Sequence, residues 1–326
     1  MESSLSGDQQ FSERMPLGQG QGRRDRAVRW LRVLAISTLV ATYCLVVLGS
    51  TVRVTDSGMG CPGWPLCYGQ IGPIDHFHSL LEQSHRYLAG LVTVLIAGVA
   101  LLAWRAGDRA RHVRGPALAA VGTIVLQIIL GAVTVVTHNA PATVAAHLAV
   151  GLLFLGVVTV VVVASFVRPE HSWSLRQEHG RLALVAVVGL FLVLVSGSLV
   201  VDGGAQSACQ SWPVCSGSRA SGGLVALQLT HRSVVLLGGT LVFAYLVTVH
   251  RRREGLPGLR VLALAGLALL AAQVAIGAFD AVLGAPEALA DLHLATAGAL
   301  WTVVVAVVAT GGTRTRIGSG RSEALT

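Results

Sequence analysis

Four of the eleven histidines have the spacing of a ligand set. His85 precedes Arg86 in Glu-Gln-Ser-His-Arg (82–86), and His231 precedes Arg232 in Gln-Leu-Thr-His-Arg (228–232). His147 and His293 each interrupt a long uncharged apolar run. At an offset of 146 residues the two His-Arg segments superpose and His147 falls on His293. Leu-Gln-Ile-Ile-Leu-Gly-Ala (126–132) then falls on Ala-Gln-Val-Ala-Ile-Gly-Ala (272–278). Near an offset of 148, Cys61-Pro-Gly-Trp-Pro-Leu-Cys67 matches Cys209-Gln-Ser-Trp-Pro-Val-Cys215. So many matches in one order mark an internal duplication. Two imidazoles facing each other across a helical bundle suit the axial positions of haem iron. His85 would pair with His147, and His231 with His293. Copper or zinc is the alternative; zinc usually takes three or four ligands. The nearest carboxylate in the second half, Asp291, is two residues from His293 and off its helix face.

The charged neighbours of these histidines have chemistry of their own. A haem bound by His85 or His231 carries propionates, and the planar fork of Arg86 or Arg232 matches a carboxylate. Snorkelling to lipid phosphate is the other reading of these arginines. Glu82 lies three residues before His85 and four before Arg86, on the helix face that both share. Its repeat partner is the neutral Gln228. A carboxylate at low dielectric can accept or donate protons, so the halves divide the labour: a reactive site in the first, a passive redox cofactor in the second. A structural Glu82–Arg86 ion pair is the competing explanation.

The elements that must hold these residues follow from composition. Charged residues are 12% of the 326-residue chain and hydrophobic residues 53%, with mean hydropathy +0.68. A soluble globular protein carries roughly 25% charged residues, so an ordinary soluble enzyme is excluded. Uncharged stretches run 33–52, 87–104, 115–137, 139–167, 182–201, 233–249, 261–279 and 292–313, with only His147 and His293 interrupting them. Each is long enough for a helix to cross about 30 Å of hydrocarbon, and none alternates as a barrel strand would. The first follows a long polar segment without a small-residue cleavage site, and is read as a span, not a signal peptide.

The net charge of +8 comes with 24 basic residues, all Arg. Twenty fall in the N-terminal segment, in the loops after spans 2, 4 and 6, and after span 8; Arg53, Arg86, Arg219 and Arg232 do not. That asymmetry is the positive-inside pattern, and it places both termini in the cytoplasm. Nucleic acid as a partner is excluded by the same distribution. The long loops at about 53–80 and 203–228 then face outward. His85, His147, His231 and His293 each lie within about two turns of the outer end of an even-numbered span. His76 and His78 are read as outer-loop residues, and His112, His171, His179 and His250 as solvated cytoplasmic ones. His138, at the outer end of span 3, is left without a role. Asp291 is read as the water-facing outer end of span 8.

Cys61 and Cys67, and Cys209 and Cys215, lie in the outward loops, where thiols persist as disulfides. Four cysteines allow three connectivities. Pairing within each loop is the simplest, because each Trp-Pro turn can bring its ends together. A four-thiolate zinc site is the alternative, without the short C-x-x-C knuckle. Cys44, inside span 1, is read as a small packing residue.

Taken together, residues 30–312 resemble the haem A synthase family, in its bacterial type with a cysteine pair in each half. The resemblance rests on Gly49-Ser-Thr-Val-Arg-Val-Thr-Asp-Ser-Gly58, Cys61–Cys67, Glu82-Gln-Ser-His85-Arg86, His147, Gln228-Leu-Thr-His231-Arg232 and His293. It implies that His231 and His293 hold a haem b cofactor, that His85 and His147 bind the substrate haem O, and that Glu82 is the catalytic carboxylate. It also implies oxidation of the C8 methyl group of haem O to the formyl group of haem A, through an alcohol and a geminal diol, with oxygen from water. The product serves terminal oxidase biogenesis.

The expected architecture is an all-α membrane protein: eight transmembrane helices as two four-helix bundles related by a pseudo-twofold axis along the membrane normal. The divisions are a disordered cytoplasmic tail (1–30), an N-terminal half with the substrate haem site (31–168), a cytoplasmic linker (169–181), a C-terminal half with the haem b site (182–313) and a cytoplasmic tail (314–326). The location is the bacterial cell membrane with extracytoplasmic outer loops. Expected partners are haem O, membrane lipid, haem O synthase and an electron acceptor of open identity. Small-residue-rich bundle faces suit either packing between halves or a homo-oligomer. Two other functions fit parts of the pattern: a di-haem b electron-transfer protein without substrate chemistry, and a transporter of parallel repeats. The scarcity of charge in the central thirds of the spans counts against the transporter.

Overall fold

In hydrocarbon the backbone has only itself to bond, so an apolar run of this length becomes a helix. The computed structural model describes residues 17–72, 75–166, 178–251 and 257–311. Among these residues eight long helices follow one another: α1 (Leu17–Val54), α2 (Phe77–Arg105), α3 (Arg111–Val136), α4 (Pro141–Phe166), α5 (Glu178–Asp202), α6 (Gly222–Arg251), α7 (Pro257–Val282) and α8 (Glu287–Gly311). A short 3₁₀ turn, Gly107–Ala110, links α2 to α3. Each of the eight contains a membrane-crossing apolar stretch. Among the described residues the protein is therefore all-α, with eight membrane-spanning helices. Pro141 and Pro257 open α4 and α7, at the helical position where a missing N–H is harmless. Buried hydroxyls are satisfied within their own helices: Thr38, Thr42 and Thr159 each donate to the carbonyl four residues back at 2.7–2.8 Å.

Helix ends differ from the expected boundaries. Residues 17–30, expected as disordered tail, belong to α1. Once the crossing segment is fixed, a helix extends without a second nucleation cost. Similarly α5 starts at Glu178, inside the expected linker. Residues 1–16, most of the linker and the tail from 314 lie outside the described residues. Helices α2 and α6 begin well before their uncharged runs, which draws His85, Arg86, His231 and Arg232 into helix.

Successive helices pack as the pairs α1/α2, α3/α4, α5/α6 and α7/α8. Between the groups α1–α4 and α5–α8, α1 packs on α8, α5 on α4, and α4 on α8, so these contacts are reciprocal. Burial follows that plan: 50% of the apolar stretch of α4 and 39% of that of α8 are buried, against 11% for α3 and α7. Helices α4 and α8 are thus central, and α3 and α7 face lipid. One apolar core lies within α1–α4; a second joins α4 to α5–α8, with Phe154 in the first and Leu155 in the second.

Candidate functional site

Each of the four histidines packs against a glycine on the preceding helix. A Cβ at Gly49 (α1) would stand 3.0 Å from His85 Nε2, and one at Gly131 (α3) 3.2 Å from His147 Cε1. In the second group, a Cβ at Gly197 (α5) would stand 3.2 Å from His231 Cε1, and one at Gly277 (α7) 2.7 Å from His293 Cε1. The bare backbone makes room for an imidazole edge at all four positions. His231 and His293 line one cavity, and His85 and His147 hold the matching positions on α2 and α4.

Polar neighbours orient three of the rings. His231 Nδ1 and Ser196 Oγ are 2.8 Å apart. Gln127 Nε2 lies 3.2 Å from His147 Nε2, and Gln273 Nε2 lies 3.2 Å and 3.3 Å from the two ring nitrogens of His293. Gln127 Oε1, Gln273 Oε1 and His147 Nδ1 are buried without partners among the described residues. Buried polar atoms are rarely left so, and these mark unused bonding capacity at both sites. Neither the glycines nor the glutamines were singled out from sequence as site residues. Their signal was present, because Gln127/Gln273 and Gly131/Gly277 are matched positions of the repeat.

The cysteine loops close over the N-terminal ends of α2 and α6. Cys61 is joined to Cys67 and Cys209 to Cys215, with Cα–Cα separations of 4.7 and 5.1 Å. Gly60 lies directly on the start of α2, where a Cβ would come within 2.5 Å of the His78 carbonyl carbon. Arg86 Nη1 donates to Gly63 O (2.6 Å) and Pro65 O (3.2 Å), and its Nη2 to Cys61 O (3.2 Å). Arg232 repeats this in its own loop, Nη1 donating to Ser211 O (2.8 Å) and Pro213 O (3.0 Å), Nη2 to Cys209 O (3.0 Å). Expected as propionate partners, both arginines are committed here to bracing loops. The reason is local: loop carbonyls that lack a helical donor lie within hydrogen-bond reach of each guanidinium.

Glu82 is buried. It accepts the Cys61 N–H at 2.8 Å on Oε2 and pairs with Arg86 through Oε1. Gln228 is buried at the matching place but donates instead, to Ala205 O (2.9 Å) and Gln206 O (3.0 Å). The Glu/Gln asymmetry therefore reverses the direction of hydrogen bonding between helix and loop.

In the α5–α8 group, His231 and His293 both line a cavity of about 710 Å³. Its walls are largely aliphatic, including Leu190, Val193, Leu194 and Leu270, and its charged residues are Arg53, Arg232 and Asp280. The volume lies in the range of small-molecule and cofactor sites. Two imidazoles, glycine-cleared ring edges, apolar walls and cationic side chains fit a haem, whose macrocycle is apolar and whose propionates are anionic.

Other sequence expectations fell differently. Cys44 is exposed on the lipid side of α1, not packed; a residue on the outer stripe of a peripheral face has no neighbour to pack on. Asp291 is half-buried with Oδ1 unpartnered among the described residues, not a water-facing end, because α8 already starts at Glu287 and carries it inward. His112 is half-buried with Nε2 2.8 Å from Ala164 O. His78 lies in the first turn of α2, its Nδ1 2.8 Å from Ser57 Oγ. His138 is exposed in the α3–α4 turn with positive φ.

Fold and site together define a multi-pass membrane protein with histidines at matching positions of α2, α4, α6 and α8. The chain belongs to the COX15-CtaA family: the family model, described as cytochrome oxidase assembly protein, matches residues 32–80 and 74–305. Among similar proteins, the heme A synthase of Symbiobacterium thermophilum is 34% identical over 266 residues, covering 76% of this chain and 84% of that one. That of Geobacillus thermodenitrificans is 32% identical over 200 residues, covering 60% and 62%. That of Bacillus cereus is 24% identical over 304 residues, covering 90% and 97%.

Proposed function

We propose that this chain is a haem A synthase, oxidising the C8 methyl group of haem O to the formyl group of haem A. The observation that carries the reading is a histidine-pair site built twice on matching helices, with Glu82 in one copy against Gln228 in the other. His231 and His293 would hold haem b, and His85 and His147 the substrate haem. When bound, haem b supplies one-electron transfer. Methyl plus water to formyl releases four protons and four electrons, so the reaction needs a proton acceptor and an external electron acceptor. Glu82 is the ionisable group on the helix face of His85. The Cys61 N–H and Arg86 hold its carboxylate, while Gly49 and Gly131 leave the rings of His85 and His147 free of a neighbouring methyl. The outer loops face the extracytoplasmic side, which suits their disulfides.

The test is expression with haem O supply, followed by haem extraction and chromatography. Wild type should yield haem A. Glu82→Gln should lower the yield about 100-fold or more, the scale of a lost acid–base group, while retaining haem b. His231→Ala or His293→Ala should lose the tightly bound haem b, and His85→Ala should keep it and lose turnover. Two permanent haems b with no modified haem would instead establish an electron-transfer protein.

A further inference from the structure

Arg232, the cation next to His231 in sequence, is committed to three loop carbonyls. A second arginine reaches the same cavity from the other helix group. Arg53, at the end of α1, lines it together with His231 and His293. Its Nη2 lies 2.6 Å from Asp202 Oδ1 and donates to Ser198 O at 2.8 Å. Ser198 Oγ in turn donates to Asp202 Oδ2 at 2.8 Å, so the carboxylate is itself held. Asp202 stands behind Arg53 and is not part of the cavity wall. Arg53 Nε is buried with no partner among the described residues. An arginine fixed from behind on one nitrogen, with donors left over beside an apolar cavity, is a preorganised carboxylate receptor.

We propose that Arg53, supplied by α1, binds a propionate of the haem held by His231 and His293, with Asp202 as the residue that positions it. The inference rests on the haem b reading above. It makes the cofactor site of α5–α8 incomplete without α1. Under the repeat, Arg53 falls on Val201 and Asp202 on Val54, so the arrangement exists once. The other ionisable groups of the cavity are Arg232, already engaged, and Asp280, whose Oδ1 is buried without a partner among the described residues. Asp280 cannot substitute for a cation toward a propionate.

The alternative is that Arg53–Asp202 is only a strut between the two helix groups. The two readings predict different signs. Haem-loaded full-length wild type, Arg53→Gln, Arg53→Lys and Asp202→Asn are purified in detergent. Haem transfer to apomyoglobin and the midpoint potential of the bound haem are then measured. A cation beside the propionates disfavours the ferric state. Arg53→Gln should therefore shift the midpoint negative and release haem about tenfold faster or more, the scale of a lost charged hydrogen bond. Asp202→Asn removes a nearby anion, so it should shift the midpoint positive while haem is retained. Arg53→Lys keeps the charge but not the fork; it should nearly hold the midpoint and still release haem faster. Equal haem loss in Arg53→Gln and Asp202→Asn with unchanged midpoints would overturn the proposal. So would wild-type release from Arg53→Lys, which serves if Arg53→Gln does not fold. Wild type without bound haem b, or His231→Ala that keeps it, would overturn the underlying haem reading instead.

Discussion

A single methyl group is enough to probe each histidine site. At Gly277 an added Cβ would stand 2.7 Å from His293 Cε1 and 3.3 Å from Nδ1, so the ring must tilt. Gly277→Ala should therefore lose most of the resident haem b, read as haem per protein after purification. Gly131→Ala, at 3.2 Å from His147 Cε1, should keep that haem and lower haem A yield. A Gly277→Ala protein with full haem content would show that the ring accommodates the methyl. Glu82 also belongs to this scale. Its carboxylate is bound within the protein on both oxygens, so geometry alone makes it a loop anchor, and its proton chemistry is the part that Glu82→Gln tests. The histidines were legible in sequence because they repeat. The glycines were less legible, since a glycine in a membrane helix has many reasons to be there, and only the ring beside it selects one.

At the scale of elements, the two disulfide loops and the helices beneath them act as units. Removing the guanidinium of Arg86 takes away its bonds to Gly63, Pro65 and Cys61 carbonyls and its pairing with Glu82. Arg86→Gln should destabilise the 61–67 loop by about 1.5–3 kcal/mol, the range for hydrogen bonds to charged groups, and speed amide exchange there. Arg232→Gln should do the same for the 209–215 loop, from the bonds to Ser211, Pro213 and Cys209. Exchange rates unchanged in both variants would mean that the disulfides alone hold these loops. The sequence placed each Arg beside a His, near the start of α2 or α6, which is where it lies. What the guanidinium bonds to depends on how the loop returns over the helix, and no helical spacing encodes that path.

The whole molecule is held by a seam between α1, α4, α5 and α8. In lipid, association of helices draws on close packing and interhelical hydrogen bonds more than on apolar burial, and the seam shows both. Tyr43 Oη donates to Ala295 O at 2.9 Å, from α1 to α8. Trp301 Nε1 donates to Leu152 O at 2.8 Å, from α8 to α4, and its ring lies 3.1 Å from where a Cβ at Gly156 would be. Trp301→Ala leaves a cavity and removes the bond to the Leu152 carbonyl, and should cost about 3–5 kcal/mol, measured by thermal unfolding in detergent. Trp301→Phe should lose about 1 kcal/mol, the hydrogen bond alone. Equal losses in the two variants would place the energy in the hydrogen bond and not in the packing.

The sequence by itself determined the eight helices and the duplication, and made pairing within each loop the simplest of the three cysteine connectivities. These follow from local rules: apolar length, matched order and short separations. It did not determine which helices are central, that α1 runs down to Leu17, or that Cys44 meets lipid. Nor did it give the partners of Arg86 and Arg232, or the meeting of Arg53 with Asp202 beside the His231–His293 cavity. The last of these was decided only when the end of α1 met α5. A contact between residues about 150 apart depends on how whole helices pack, and the charge of an arginine is the same whichever carbonyl or carboxylate it finally meets.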